Sequence, residues 1–161
     1  MRSEETVAAM LKARGWHIAF AESCTGGLAV ARLVGVAGVS DVLAESYITY
    51  APESKVALLG VRQETIDTHG VVSEETATEM AAGAAERAHA EVGVGITGLA
   101  GPGGGTDALP VGTVCFGFFV NGACHTATVR FAHAGRNAVR QRASAFALRR
   151  LAALLCESIP K

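Results

Sequence analysis

The sequence has no excess of either charge and no long apolar run. Its 161 residues carry 14 basic and 15 acidic side chains, a formal net charge of −1. Proteins that bind a nucleic-acid backbone usually present a basic stripe, and the one basic concentration, residues 130–150, is equally typical of an amphipathic helix. No stretch reaches the 18 apolar residues of a membrane span. We therefore expect neither a nucleic acid nor a membrane as a partner.

Cysteine is scarce, and its spacing signals no metal. The four cysteines, Cys24, Cys115, Cys124 and Cys156, contain no C-x-x-C pair, and the five histidines form no set at zinc-finger intervals. The segment Met1–Glu5 carries acids where a secretory signal has a basic region before an apolar run. We expect reduced thiols, no metal, no organic cofactor and a cytoplasmic location.

What the sequence does contain is typical of an α/β protein. Half of its residues are hydrophobic and 19 are glycine, and 161 residues are enough to bury a core without a covalent staple. We expect one domain over residues 1–161, without repeats or a linker.

Hydrophobic periodicity predicts the order of the elements. Asn121-Gly122 lies between two apolar runs and indicates a two-residue hairpin, so the sheet should be mixed. Strands are predicted over residues 16–21, 42–50, 92–97, 111–120 and 124–131, and helices over 7–14, 25–33, from 52 onwards, 74–89 and 136–156.

Ser23 follows the first predicted strand, and Lys55 lies just beyond the second. A serine hydroxyl becomes a nucleophile when a base takes its proton, and a lysine can be that base if burial lowers its pKa. Only three of the 14 basic residues are lysines, and the arginines stay protonated at any working pH. The pair therefore indicates a hydrolase.

Each of these residues also has a simpler interpretation. Ser23 suits the N-cap of a helix, and Lys55 could be an ordinary surface residue. Cys24 is a rival nucleophile because a thiolate near a helix N-terminus can have a depressed pKa. Tyr50 is equally typical of a strand residue with its ring in the core.

Two further features favour an anionic ligand. The loop from Gly98 to Gly105 leaves a predicted strand and can turn several backbone N–H groups, including that of Gly101, toward one anion. The same composition is also typical of a long turn that binds no ligand. Arg136 and Arg140 lie one helical turn apart and could clamp a phosphate, or form a solvated basic face.

Several motifs together resemble the CinA C-terminal domain family, and the match runs from about residue 4 to residue 155. The last segment departs from the family's common Gly-Asp-Arg, because Ala134-Gly135-Arg136 keeps the arginine and lacks the aspartate. The motifs are Ala21-Glu22-Ser23-Cys24-Thr25-Gly26-Gly27, Tyr50 through Lys55, Gly70-Val71-Val72-Ser73-Glu74-Glu75, Gly95-Ile96-Thr97-Gly98-Leu99-Ala100-Gly101-Pro102-Gly103-Gly104 and Pro110-Val111-Gly112-Thr113-Val114.

The resemblance implies a fold, an activity and roles for residues. The fold would be a three-layer α/β/α sandwich, and active members hydrolyse nicotinamide mononucleotide to nicotinic acid mononucleotide and ammonia. Ser23 would be the nucleophile and Lys55 its base, with Tyr50 in the same hydrogen-bonded group. Thr97 and Gly98 would contact the ligand.

The hypothesis is therefore a nicotinamide-nucleotide amidase that uses no cofactor. Backbone N–H groups at Thr25, Gly26 and Gly27, at the start of the second helix, would stabilise the oxyanion. The alternative is a nucleotide-binding or regulatory module without turnover. The resemblance to the family also implies a homo-oligomer, and many members of the family carry a further N-terminal domain.

Overall fold

The sheet of the protein is mixed, as the sequence predicts. The computed structural model describes residues 1–132 and 135–157. Its strands are β1 (Ile18–Glu22), β2 (Leu43–Ile48), β3 (Val92–Gly98), β4 (Thr113–Val120) and β5 (Ala123–Arg130). They lie in the order β2-β1-β3-β4-β5. β1 is parallel to β2 and β3, whereas β4 is antiparallel to both β3 and β5.

Helices cover both faces of the sheet and make the three-layer α/β/α sandwich. The helices in the described residues are α1 (Ser3–Arg14), α2 (Leu28–Val34), α3 (Pro52–Leu59), α4 (Gln63–His69), α5 (Glu74–Arg87) and α6 (Arg136–Glu157), with a 3₁₀ turn at Val39–Asp41. Alternation along β1 divides the core, because Ile18 and Phe20 face α1, α2 and α6 while Ala19 and Ala21 face α3 and α5.

Glycines let α5 lie directly on the sheet. A methyl group at Gly93 would lie 2.0 Å from the carbonyl oxygen of Ala81, and one at Gly95 would lie 2.2 Å from that of Ala77. The loop before α5 is then tied to the end of β3, where the Thr97 hydroxyl donates to the Val71 carbonyl at 2.7 Å. This contact forms one wall of the candidate site.

The hairpin prediction is confirmed. Asn121 and Gly122 both have positive φ, 45° and 91°, as a type I′ turn requires.

One helix, α4, is not predicted from the sequence. It has no apolar stripe that would predict it. Its buried Thr65 donates to Glu79 on α5 at 2.7 Å, so a tertiary contact stabilises this short helix.

Within residues 1–132 and 135–157, no helix combines the length and the hydrophobicity that crossing a bilayer requires.

Candidate active site

A cavity of about 170 Å³ opens at the carboxyl ends of β1, β2 and β3. In open sheets with parallel strands, ligands bind at this edge. Ser23 and Cys24 reach the cavity from the end of β1, Lys55 from α3, and Thr97 and Gly98 from the end of β3. The apolar part of its wall comes from Tyr50, Pro52, Val71, Val72 and Leu99.

Lys55 and Ser23 meet inside this cavity. The Lys55 side chain is only 1% exposed, its Nζ lies 3.2 Å from Ser23 Oγ, and it donates to the Thr49 carbonyl. No carboxylate of the described residues lies within ion-pair distance of it. Burial lowers the pKa of Lys55 below its usual 10.5, because an uncompensated ammonium is costly away from water. In its neutral form this amine has a lone pair that can take the serine proton.

Cys24 lies beside Ser23 but is poorly suited to be the nucleophile. Its thiol is 5% exposed, and burial, with a smaller contribution from the negative charge of Glu22, raises its pKa to about 12. Because the thiolate is the reactive form, Cys24 is a neutral thiol at physiological pH.

Glu22 has a role in the structure that its sequence pattern does not predict. Its side chain is fully buried, and its two oxygens accept from the backbone N–H groups of Gly27 at 3.0 Å, Ala29 at 3.2 Å and Val30 at 2.8 Å. Unpaired N–H groups at a helix start favour a negative charge. The signal in the sequence is an acid five residues before Gly27, at a spacing unlike that of a usual N-cap.

The predicted oxyanion role is corrected for Gly27, whose N–H donates to Glu22, and for Gly26, whose N–H donates to the Ser23 carbonyl at 3.0 Å. Helix α2 begins at Leu28, after Gly26 and Gly27 with φ of 59° and 95°, and not at Thr25. Its first free N–H groups are occupied by Glu22, so they cannot bind an oxyanion. None of the three residues lines the cavity, and the buried Thr25 hydroxyl has no partner among the described residues.

Replacing Glu22 by glutamine is expected to lower the free energy of unfolding by about 1–3 kcal/mol, because an amide nitrogen would face backbone N–H groups. Chemical denaturation at pH 7 measures the loss, with Glu53→Gln as the matched control on exposed surface. An unchanged midpoint for Glu22→Gln would show that the three hydrogen bonds contribute no net stability.

The position of Tyr50 differs from the predicted one. Its side chain is 60% exposed, and its hydroxyl accepts from Arg136 at 2.9 Å. Among the described residues it shares no hydrogen bond with Ser23 or Lys55, so the expected three-membered group is corrected to a pair. Tyr50 instead contributes its ring to the cavity wall and links that wall to α6.

The two arginines of α6 do not act as one clamp. Arg136 donates to the Gly101 carbonyl at 2.8 Å as well as to Tyr50, which places it beside the cavity. Arg140 donates to the carbonyls of Cys24 at 3.0 Å and Thr25 at 3.2 Å. The sequence predicts a common face but cannot show that the guanidinium groups separate toward different loops.

The glycine-rich loop contributes less to the cavity than its composition indicates. Thr97 and Gly98 line the cavity as predicted, whereas Gly101 offers its carbonyl to Arg136. Residues 102–108 are exposed. Anion binding by backbone N–H groups of this loop therefore stays a prediction. Gly135, which stands where the family's common Gly-Asp-Arg has its aspartate, is exposed.

In the described part of the chain, no group of three or more His, Cys, Asp or Glu side chains is arranged to hold a metal ion.

The chain matches the CinA C-terminal domain model over residues 1–155. It is 51% identical over 146 residues to a CinA-like protein of Kosmotoga olearia, covering 90% of this chain and 35% of that protein. It is 47% identical over 158 residues to a CinA-like protein of Chlorobaculum tepidum, covering 96% and 37%. The chain thus spans about a third of the length of these curated relatives.

Solved structures agree with this relationship. A competence-damaged protein (CinA) superfamily protein from Klebsiella pneumoniae 700603 superimposes with a TM-score of 0.91 at 37% identity, over 96% of both chains. The competence/damage inducible protein CihA from Agrobacterium tumefaciens superimposes with a TM-score of 0.87 at 38% identity, also over 96% of both. Since the family model matches residues 1–155 and both relatives cover at least 90% of the chain, the chain belongs to the CinA C-terminal domain family.

Proposed function

We propose that this domain is an amidase that hydrolyses the carboxamide of nicotinamide mononucleotide to nicotinic acid mononucleotide and ammonia. The observation that carries the proposal is the pairing of Ser23 Oγ with a buried Lys55 Nζ, 3.2 Å apart, in a cavity. A hydroxyl next to an amine of lowered pKa is the arrangement of a serine nucleophile with its general base.

The reaction follows from this pair. Lys55 keeps one N–H on the Thr49 carbonyl, and in its neutral form it can turn its lone pair to the Ser23 hydroxyl, 3.2 Å away. As Ser23 Oγ bonds to the carboxamide carbon, Lys55 takes the hydroxyl proton and then gives it to the departing nitrogen, so that ammonia leaves and an acyl-enzyme remains. Water attacks the ester with Lys55 again as base, and the acid and free Ser23 are released.

The size of the cavity favours an aromatic carboxamide over a larger amide. A dry cavity of roughly 150 Å³ holds one benzene molecule, so about 170 Å³ holds one pyridine ring with its carboxamide. The walls at Tyr50, Val71 and Leu99 suit a flat ring. The ribose and phosphate of the nucleotide would then project outward past Tyr50, toward Arg136.

Arg136 is the phosphate ligand that this placement favours. Its hydrogen bonds to Gly101 and Tyr50 use two of the five N–H donors of a guanidinium, and the side chain is exposed beside the cavity. Arg140, by contrast, makes three hydrogen bonds within the protein.

Arg136→Gln is expected to raise KM for nicotinamide mononucleotide by roughly 10- to 100-fold, the effect of losing a hydrogen bond to a charged group. KM for nicotinamide riboside, which lacks the phosphate, should change little. Steady-state ammonia release with both substrates measures the ratio. Equal losses with both would show that Arg136 does not bind the phosphate.

The amidase is tested by incubating the purified protein with nicotinamide mononucleotide and measuring ammonia, beside Ser23→Ala, Lys55→Ala and Cys24→Ala. We expect release from the unchanged protein and the cysteine variant only. Nucleotide binding without release of ammonia by the unchanged protein would overturn the amidase and leave a binding module, because the cavity and Arg136 would bind a nucleotide in either case.

A further inference from the structure

The tetrahedral intermediate needs hydrogen-bond donors that the start of α2 does not supply. The N–H groups of Gly27, Ala29 and Val30 belong to Glu22, and the Ser23 N–H donates to the Ile96 carbonyl at 2.9 Å. Removing an oxyanion donor from a hydrolase typically costs 10²- to 10³-fold in rate. In acyl-transfer enzymes whose nucleophile lies on a strand-to-helix turn, one oxyanion donor comes from that turn, which here is the turn between Ser23 and Gly27.

The Cys24 N–H is the group of this turn that meets the requirement. Cys24 lines the cavity next to Ser23, and its N–H has no acceptor in another residue among residues 1–132 and 135–157. In acyl-transfer enzymes with a nucleophile on a strand-to-helix turn, the N–H following the nucleophile points to the oxyanion.

A chain of hydrogen bonds runs from Arg140 to that N–H. Arg140 donates to the Thr25 carbonyl at 3.2 Å. The N–H of the same peptide group, that of Gly26, donates to the Ser23 carbonyl at 3.0 Å. The N–H of the Ser23 peptide group is the Cys24 N–H. Because N–H and C=O point in opposite directions across a trans peptide, each link directs the next away from α6.

We propose that Arg140 is a positioning residue that, through the Thr25 and Ser23 peptide groups, holds the Cys24 N–H as the oxyanion donor. Its second hydrogen bond, to the Cys24 carbonyl at 3.0 Å, stops the turn from rotating. Its positive charge lies at the first of these hydrogen bonds and also strengthens each following one, since hydrogen bonds in series polarise one another. The inference rests on the proposed amidase and assigns Arg140 to catalysis at a distance, not to the phosphate.

Arg140→Gln tests this role, with Arg142→Gln as control, since Arg142 is exposed on the same helix. We expect Arg140→Gln to lower kcat on the order of 10- to 100-fold, equally for nicotinamide mononucleotide and nicotinamide riboside, with KM nearly unchanged. Arg140→Lys, which keeps the charge but lacks the planar fork of nitrogens that binds the two carbonyls, should lie between. If Arg140→Gln does not fold, Arg140→Lys carries the comparison.

A nucleotide analogue with an aldehyde in place of the carboxamide separates positioning from general loosening. It adds the Ser23 hydroxyl reversibly and places a charged oxygen at the oxyanion site. Its affinity should fall in Arg140→Gln by the same factor as kcat, while affinity for the nicotinic acid mononucleotide product stays constant.

A rise in KM confined to the phosphorylated substrate, or an unchanged kcat, would overturn the positioning role and leave the amidase intact. Absence of turnover by the unmodified protein would overturn both.

Discussion

Replacing Lys55 by methionine is expected to reduce ammonia release from nicotinamide mononucleotide by roughly 10²- to 10⁴-fold, the usual contribution of a general base. Methionine is unbranched like lysine, only one atom shorter, and suits a site that is 1% exposed, so the cavity should nearly keep its shape. Lys55→Arg should be equally inactive, because a guanidinium does not deprotonate.

The same substitution should change how stability depends on pH. Burial lowers the pKa of Lys55 in the folded protein below its usual 10.5, so between the lowered pKa and 10.5 the unfolded chain binds more protons than the folded one. Stability therefore rises with pH in this interval. The free energy of unfolding of the unmodified protein should rise relative to that of Lys55→Met as pH approaches 10.5. This relative gain in free energy should be lost as pH falls through the lowered pKa.

Denaturant unfolding at a series of pH values measures this difference. Lys12→Met is the control, because Lys12 is exposed and pairs with Asp41 on the surface. Parallel stability curves for the unmodified protein and Lys55→Met would contradict a lowered pKa.

Ser23→Ala is expected to have the largest effect of all, a loss of activity on the order of 10⁴-fold or more, since removing a nucleophile leaves only binding and electrostatic effects. The change deletes one oxygen atom at a site that is 9% exposed. The fold and nucleotide binding should therefore be retained, which calorimetry with nicotinamide mononucleotide measures.

Cys24→Ala is the matched control for Ser23→Ala. It truncates the adjacent side chain in the same cavity, and with a thiol pKa of about 12 it should keep activity within roughly tenfold, because the proposed oxyanion donor is the backbone N–H. Full activity in Ser23→Ala together with an inactive Cys24→Ala would reassign the nucleophile to sulfur.

The pair of Ser23 and Lys55 could be predicted because its signals are local. Each residue lies just beyond a strand that the apolar pattern predicts, and the carboxyl ends of neighbouring parallel strands meet at one sheet edge. The hairpin at Asn121-Gly122 was predictable for a related reason, since its turn type depends on those two residues alone.

The features that could not be predicted from the sequence depend on the directions in which side chains point. The spacing of Arg136 and Arg140 places them on one helical face, but the acceptors that separate them, at Gly101 and Cys24, are 35 and 116 residues distant in sequence. The start of α2 was misplaced because Glu22 binds N–H groups five to eight residues ahead, beyond the reach of any usual capping pattern.

Titration of Lys55 by NMR, with its Nζ assigned through the Lys55→Met spectrum, tests the central claim most directly. The account predicts a pKa for Lys55 below the usual 10.5, with kcat/KM for nicotinamide mononucleotide rising through the same pH interval. A Lys55 that titrates at the usual 10.5 would contradict it, because a protonated amine cannot take the proton of Ser23.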